Sequence, residues 1–234
     1  MLAIAGSGLS QKCKDAIRSF GAELIILKNN PMLENRVAHH ADLSALFLGD
    51  TLLTHENTAS DNPDFVKKAK ARGYKVEIIP EKLGRNYPDD ILLNCLVVGK
   101  YIFARADKIS SSVIEYAEKN GYSVINVKQG YARCTACPVA DKGIITADAG
   151  IAKAARGAGL DVLEIRGGEV TLGGFPYGFI GGACGAADNK LLFAGDLSAH
   201  PDGEKIIEFC KLHGVDAISL SDEPLCDVGS IFFI

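Results

Sequence analysis

Apolar and polar positions recur along the chain in one repeating order. Five times, a segment with helical spacing ends near a glycine and a short apolar run follows. The five junctions are "SFGAELIIL" (Gly21), "ARGYKVEII" (Gly73), "KNGYSVINV" (Gly121), "GAGLDVLEI" (Gly159) and "LHGVDAISL" (Gly214). Before them, Cys13, Ala16, Ile17 and Phe20 fall on one helical face, as do Val113, Tyr116 and Ala117, and Ile206, Phe209 and Cys210. Glycine at the end of such a segment predicts a helix C-cap. The run behind it predicts a strand.

The rest of each unit reads as a β-hairpin. Apolar strands flank Gly49-Asp50 in "SALFLGDTLLTH", Gly99-Lys100 in "CLVVGKYIFAR", Asp141-Lys142 in "CPVADKGIITA" and Asp188-Asn189 in "CGAADNKLLFAG". Asn57, Asp107, Asp148 and Asp196 each come eight residues after the turn positions Gly49, Gly99, Ala140 and Asp188, and are expected to start the helices. The C-terminal "DVGSIFFI" reads as a first hairpin strand and the N-terminal "MLAIA" as a second, with Ser7 in the cap position. If the two ends pair, five hairpin–helix–strand units close into a ring, one α/β domain over residues 1–234. Closure removes the sheet edges that an open array would expose.

Composition narrows the setting. The net charge of −4 and the scattered basic residues favour neither nucleic acid nor an anionic membrane. No apolar run is long enough to span a bilayer, and "MLAIAGSGLS" lacks the basic start of a signal peptide, so a cytoplasmic protein is expected. In that compartment seven cysteines are thiols, ligands or nucleophiles, and an odd count argues against a full disulfide framework.

The chemistry concentrates in "GYARCTACPV", Gly130 to Val139. Cys134 and Cys137 could be half of a zinc site completed by Cys95 and Cys184, a redox pair, inert buried thiols, or a nucleophile with a companion. A structural zinc site needs four ligands, and no second C-x-x-C or H-x-x-x-H exists. Against a thioredoxin-type pair, Pro138 follows the second cysteine and the motif precedes a hairpin, not a helix. The glycine-rich run from Arg166 to Gly185 lacks the G-K-[ST] of a phosphate loop, and its glycines are expected to let backbone segments approach closely. "MLAIAGSGLSQ" begins like a dinucleotide-binding fingerprint, but Gln11 replaces the third glycine and Lys28 stands where an acid is needed.

The segments leading into the five hairpins are expected to meet at one axial pocket: 39–44, 87–94, 131–137, 177–182 and 225–229. Besides Cys134 they bring Asp89, Asn94, Tyr131, Arg133 and Tyr177 as candidate substrate-binding residues.

Five such units in a ring of this size resemble the pentein fold, the five-bladed α/β propeller of the guanidino-modifying enzymes: arginine deiminase, dimethylarginine dimethylaminohydrolase and the amidinotransferases. In that family one blade supplies an acid, the next supplies His-x-Asp, and a cysteine follows two blades later. Here "HHADLSALFLG" holds His40-Ala41-Asp42, "RCTACPVA" holds Cys134 two units on, and "LCDVGS" holds Asp227 one unit before the histidine around the ring. The resemblance implies that Cys134 is the nucleophile, His40 the acid–base group, and Asp42 with Asp227 the cation grip. It implies a cationic small-molecule substrate, a hydrolase or amidinotransferase reaction through a covalent thioether-type intermediate, and no metal or other cofactor.

Arg133 or a protonated His40 is expected to lower the Cys134 pKa. Two departures stand out. Cys134 is mid-chain where the family's cysteine lies near the C-terminus, which requires a permuted blade order. "YGFIGGACG" also brings no carboxylate where deiminases carry another acid. Cys226 is the alternative nucleophile, and a non-catalytic pentein that binds a ligand or macromolecule is the alternative function.

Overall fold

The computed structural model describes residues 1–234. Unit one comprises β1 (Leu2–Gly6), α1 (Gln11–Ser19) and β2 (Glu23–Leu27). Unit two runs β3 (Ala45–Leu48), β4 (Thr51–Thr54), α2 (Glu56–Asp61), α3 (Pro63–Ala71) and β5 (Lys75–Ile78). Unit three is β6 (Leu96–Val98), β7 (Tyr101–Ala104), α4 (Ser111–Asn120) and β8 (Ser123–Asn126). Unit four opens on a single helical turn, α5 (Ala132–Thr135), and continues through β9 (Ala136–Val139), β10 (Gly143–Thr146), α6 (Ala149–Gly157) and β11 (Asp161–Glu164). Unit five is β12 (Cys184–Ala187), β13 (Lys190–Phe193), α7 (Gly203–Leu212) and β14 (Asp216–Ser219), and β15 (Ile231–Phe233) ends the chain.

The strands make five three-stranded sheets. In each, the central strand pairs antiparallel with a hairpin partner and parallel with the strand that follows the helix. Unit one takes its hairpin partner from the other end of the chain: β15 lies antiparallel to β1, with Ala3 opposite Phe233 and Ala5 opposite Ile231. The expected pairing of the two ends is therefore present.

Local chemistry explains the units. The five junction glycines, Gly21, Gly73, Gly121, Gly159 and Gly214, all have φ between 70° and 89°. That left-handed conformation closes each helix at little cost only without a Cβ. Gly49, Gly99, Ala140 and Asp188 take positive φ at the four hairpin turns. Of the expected helix starts, Asp148 caps α6 through a bond from Ile151 N, and Asp196 caps a short 3-10 turn at Leu197–Ala199. The other three are corrected. Ser10, not Ser7, caps α1; His55 precedes α2 and leaves Asn57 inside it; Ser110, not Asp107, caps α4. Phe20 ends α1 exposed because it follows the last helical turn, whereas Cys13 and Ile17 are buried as expected.

The core is five clusters, each shared by two units. Leu2 and Ile4 pack with Leu52 and Phe65, Leu46 and Leu53 with Ile102 and Val113, and Phe103 with Ile144 and Ile151. Ile145 packs with Phe193 and Ile206, and Leu192 with Ala5 and Ile17. The third strand of each sheet is the most exposed, so the inner hairpin strands carry the burial and aim their lead-in segments at one another.

Candidate active site

All five lead-in segments contribute to one cavity of about 430 Å³. His40 comes from unit two, Tyr87 and Asp90 from unit three, Tyr131 and Cys134 from unit four, Tyr177 and Phe179 from unit five, and Asp227 from the segment before β15. Main-chain bonds tie these segments together: Asp42 N donates to Gly229 O at 3.1 Å, and Gly182 N to Cys134 O at 2.7 Å. The close approach requires glycine. A Cβ on Gly182 would lie 1.9 Å from Asp227 Oδ1, and one on Gly229, at φ 73°, would lie 2.3 Å from His40 Cα.

Cys134 sits on α5 with its thiol buried. Its Sγ donates to Asp42 Oδ2 at 3.0 Å and accepts from Asn94 Nδ2 at 3.2 Å. Asn94 also receives the backbone N–H of Arg133 at 2.8 Å on Oδ1, so one amide fixes both the loop and the sulfur. Asp42 Oδ2 receives a second bond, from Ser230 Oγ at 2.6 Å. A ring nitrogen of His40, a carboxylate oxygen of Asp42 and Cys134 Sγ all lie within 4.8 Å of one another. His40 Nε2 stands 3.8 Å from Asp227 Oδ1, beyond hydrogen-bond range. Asp227 is held by the backbone instead, accepting from Phe179 N at 3.0 Å and Gly229 N at 3.1 Å.

These groups are nearly dry, and their protonation follows. Burial, reinforced by the nearby charge of Asp42, raises Asp227 to about 7. Burial, followed by the charges of Asp42 and Asp227, pushes the Cys134 thiol well above its ordinary range. Burial also lowers His40, whose imidazole is neutral at pH 7. Neither expected activator of the thiol is in place. His40 is not protonated, and the Arg133 guanidinium turns away, donating to Gly181 O at 2.8 Å and Cys184 O at 3.3 Å. The free site therefore holds a neutral thiol between carboxylates.

Among the sequence-derived candidates, Cys134, His40, Asp227, Tyr131 and Tyr177 line the cavity. Asp42 and Asn94 stand directly behind Cys134. Arg133 braces unit five. Asp89 is corrected: its side chain is 71% exposed and lies 3.8 Å from Lys108, while its neighbour Asp90 lines the cavity. Cys226 does not line the cavity; it packs among the apolar residues shared by units five and one. Sequence reasoning missed Asp90, Tyr87, Phe179 and Ser230. Asp90 had a signal, an acid in an expected lead-in segment, but two adjacent acids cannot be ranked without the loop's path.

The C-x-x-C motif does not chelate as a pair. Cys137 Sγ points to Cys184 Sγ, 3.0 Å away, and to Ile180 O, on a different side from Cys134. The donor set that could hold a metal is His40, Asp42 and Cys134, the nitrogen, oxygen and sulfur ligands that zinc accepts.

A family model described as "Family of unknown function (DUF6873)" matches residues 4–232. The chain belongs to the DUF6873 family. No curated protein matches this DUF6873 member. Among solved structures it is similar to DDAH from Pseudomonas aeruginosa in complex with citrulline, at 13% identity and TM-score 0.58, over 94% of this chain and 92% of that one. SxtG, an amidinotransferase from Microseira wollei, gives 12% identity and TM-score 0.53 over 92% and 77%. C. jejuni agmatine deiminase gives 14% and 0.52 over 94% and 75%. This DUF6873 protein thus shares the pentein fold of these structures, with five small three-stranded sheets and seven helices. No helix is long and apolar enough to cross a membrane.

Proposed function

We propose that this protein is a cysteine-dependent hydrolase or amidinotransferase that acts on a guanidino or amidino group. Cys134 is the nucleophile, His40 the acid–base group, and Asp42 with Asp227 the grip on the cation. The observation that supports this reading best is the convergence of a thiol, an imidazole and the Asp227 carboxylate at one cavity, with Asp42 bonded to that thiol directly behind it. The fold shared with a DDAH, an amidinotransferase and an agmatine deiminase supports the reaction class. In this reading the five units are the blades of one closed ring, a single domain over residues 1–234. The seven unpaired thiols suit the reducing cytoplasm.

The chemistry follows from the charges. A neutral thiol between carboxylates is a poor nucleophile, and a guanidinium is a poor electrophile. A guanidinium seated against Asp42 and Asp227 brings positive charge beside Sγ and favours the thiolate. The thiol proton passes to His40. The thiolate attacks the central carbon, forming an S–C bond while the C=N electrons move to nitrogen. Collapse breaks a C–N bond, and His40 returns the proton to the departing amine. In the second half, water attacks the amidino-thioether, His40 takes its proton, and the C–S bond breaks to release the thiol and a urea. An amine in place of water gives transfer. Tyr131, Tyr177 and Tyr87 wall the substrate, and Asn94 positions the sulfur.

The test is a panel of guanidines and amidines, with released amine and acid-trapped Cys134 adducts followed by mass spectrometry. Turnover lost by several orders of magnitude in Cys134→Ser, with folding intact, supports the mechanism. Full activity in that variant rejects it. The alternative, a pentein that binds its ligand without chemistry, is favoured by the neutral resting thiol. It takes the lead if guanidines bind and no Cys134 adduct or product forms.

A further inference from the structure

Asp90 is a buried carboxylate that the proposed chemistry does not use. The residue is 1% exposed yet lines the same cavity as Cys134, His40 and Asp227. Oδ2 accepts from Tyr131 Oη at 2.7 Å, while Oδ1 is buried with no partner in the protein. The neighbouring Asp89 is a like charge and offers Asp90 no partner. A buried carboxylate with one satisfied oxygen is costly, and packing alone gives no reason to keep it.

The surroundings indicate what Asp90 meets. The Tyr131 ring that tethers it packs against Tyr87, with ring centroids 5.4 Å apart. The further cavity wall is aromatic and aliphatic, from Phe175, Pro176, Leu172 and Val37. The cavity's single Arg or Lys is Arg36. Its guanidinium is engaged: Nε with Glu34 Oε1 at 2.9 Å, Nη1 with Gly174 O at 2.9 Å, and its face 4.0 Å above Phe175. Glu34 and Arg36 answer each other, so the carboxylates of the lining that no cation meets are Asp90 and Asp227.

We propose that Asp90 is a specificity-determining residue that accepts a hydrogen bond from a second, cationic nitrogen of the substrate, so that the cavity selects amine-terminated guanidines or amidines over carboxylate-bearing ones. This rests on the proposed function, in which the guanidino end is held at Asp42 and Asp227. The tail crosses the aromatic wall and its ammonium reaches Asp90 Oδ1. A carboxylate-bearing tail would face Asp90 with no free cation to meet it.

The experiment measures protection of Cys134 against a cationic thiol alkylator, chloroacetamidine. Three guanidine series of graded chain length are used, with plain alkyl, ω-amino and ω-carboxy tails. In the unmutated protein the best ω-amino compound should protect at least about tenfold more tightly than its alkyl counterpart, the scale of a charged hydrogen bond. The ω-carboxy compound should be weakest. Asp90→Asn keeps an acceptor for Tyr131 and should erase the ω-amino advantage, read as the ratio of ω-amino to alkyl protection within each protein. Asp89→Asn should change nothing.

Equal protection by ω-amino and alkyl compounds in the unmutated protein overturns the role of Asp90 and leaves the proposed function standing. So does an advantage that survives Asp90→Asn. Failure of every guanidine to protect overturns both. The comparison in the unmutated protein does not depend on any variant folding.

Discussion

Asp42 Oδ2 accepts hydrogen bonds from both the Cys134 thiol, at 3.0 Å, and the Ser230 hydroxyl, at 2.6 Å. Residues from three segments far apart in the chain thereby share one oxygen. The arrangement stores the sulfur as a protonated thiol, because a thiolate would face the carboxylate directly. In the proposed function a cationic substrate is the trigger: it would neutralise the carboxylates and turn the same geometry into one that favours S⁻.

Charge selectivity of labelling follows. Chloroacetamidine, a cation, should alkylate Cys134 at least about tenfold faster than neutral chloroacetamide, as expected when a charged group meets a buried counter-charge. Peptide mapping checks this. Equal rates would mean that the carboxylates do not act on the incoming reagent.

The pH dependence has a defined sign. Asp227 titrates at about 7 in the folded protein against an ordinary 3.8. Below about pH 7 it is neutral and grips a cation poorly; above, it is charged. The ratio of cationic to neutral labelling rates should therefore rise as pH rises through about 7, and Asp227→Asn should flatten it. The ratio cancels the thiol's own ionisation. By linkage, a carboxyl raised on folding contributes stability at low pH that is lost as pH rises from its unfolded pKa to about 7. Asp227→Asn should thus gain Tm relative to the unmutated protein on going from pH 5 to pH 8, a trend that calorimetry reads directly.

Asn94 gives a separate handle on the sulfur. Asn94→Asp keeps the acceptor for Arg133 N but replaces the N–H donor to Sγ with a carboxylate oxygen. The thiol pKa should rise further and Cys134 labelling at pH 8 should fall by about tenfold or more, the scale of one lost bond to a charged sulfur. An unchanged rate would show that the 3.2 Å contact does not support the thiolate.

Two glycine classes should separate in stability. Gly121 has φ 70° and no atom within 4 Å of where a methyl would sit, so Gly121→Ala should cost about 1 kcal/mol. Gly182→Ala drives a methyl into Asp227 and should cost about 2 kcal/mol or more, a Tm loss of roughly 4–8 °C. Similar losses for the two would mean that the segments around Asp227 relax freely.

The repeat was legible in the chain because its causes are local. Glycine at a helix end, a tight turn between apolar strands and the helical spacing of Ile206 and Cys210 each act within a few residues, and all reappear in the structure. Pairing of "MLAIA" with "SIFFI" was legible too, since each half-hairpin lacks its partner nearby. Cys134, His40, Asp42 and Asp227 all fall in or beside the segments that lead into hairpins, and the structure brings these four together at and behind one cavity.

What only the tertiary structure decided is direction and protonation. Asp89 and Asp90 are identical in the sequence, but the loop's path turns one to Lys108 and the other into the cavity. Arg133 is beside Cys134 in the chain, yet successive side chains diverge and its guanidinium braces Gly181 and Cys184 instead. The neutral His40, the Asp227 pKa near 7 and the protonated thiol arise from desolvation and from charges brought together across units. Residue type sets the ordinary pKa; the surrounding dielectric and the approach of Asp42, on a different segment, set the actual one.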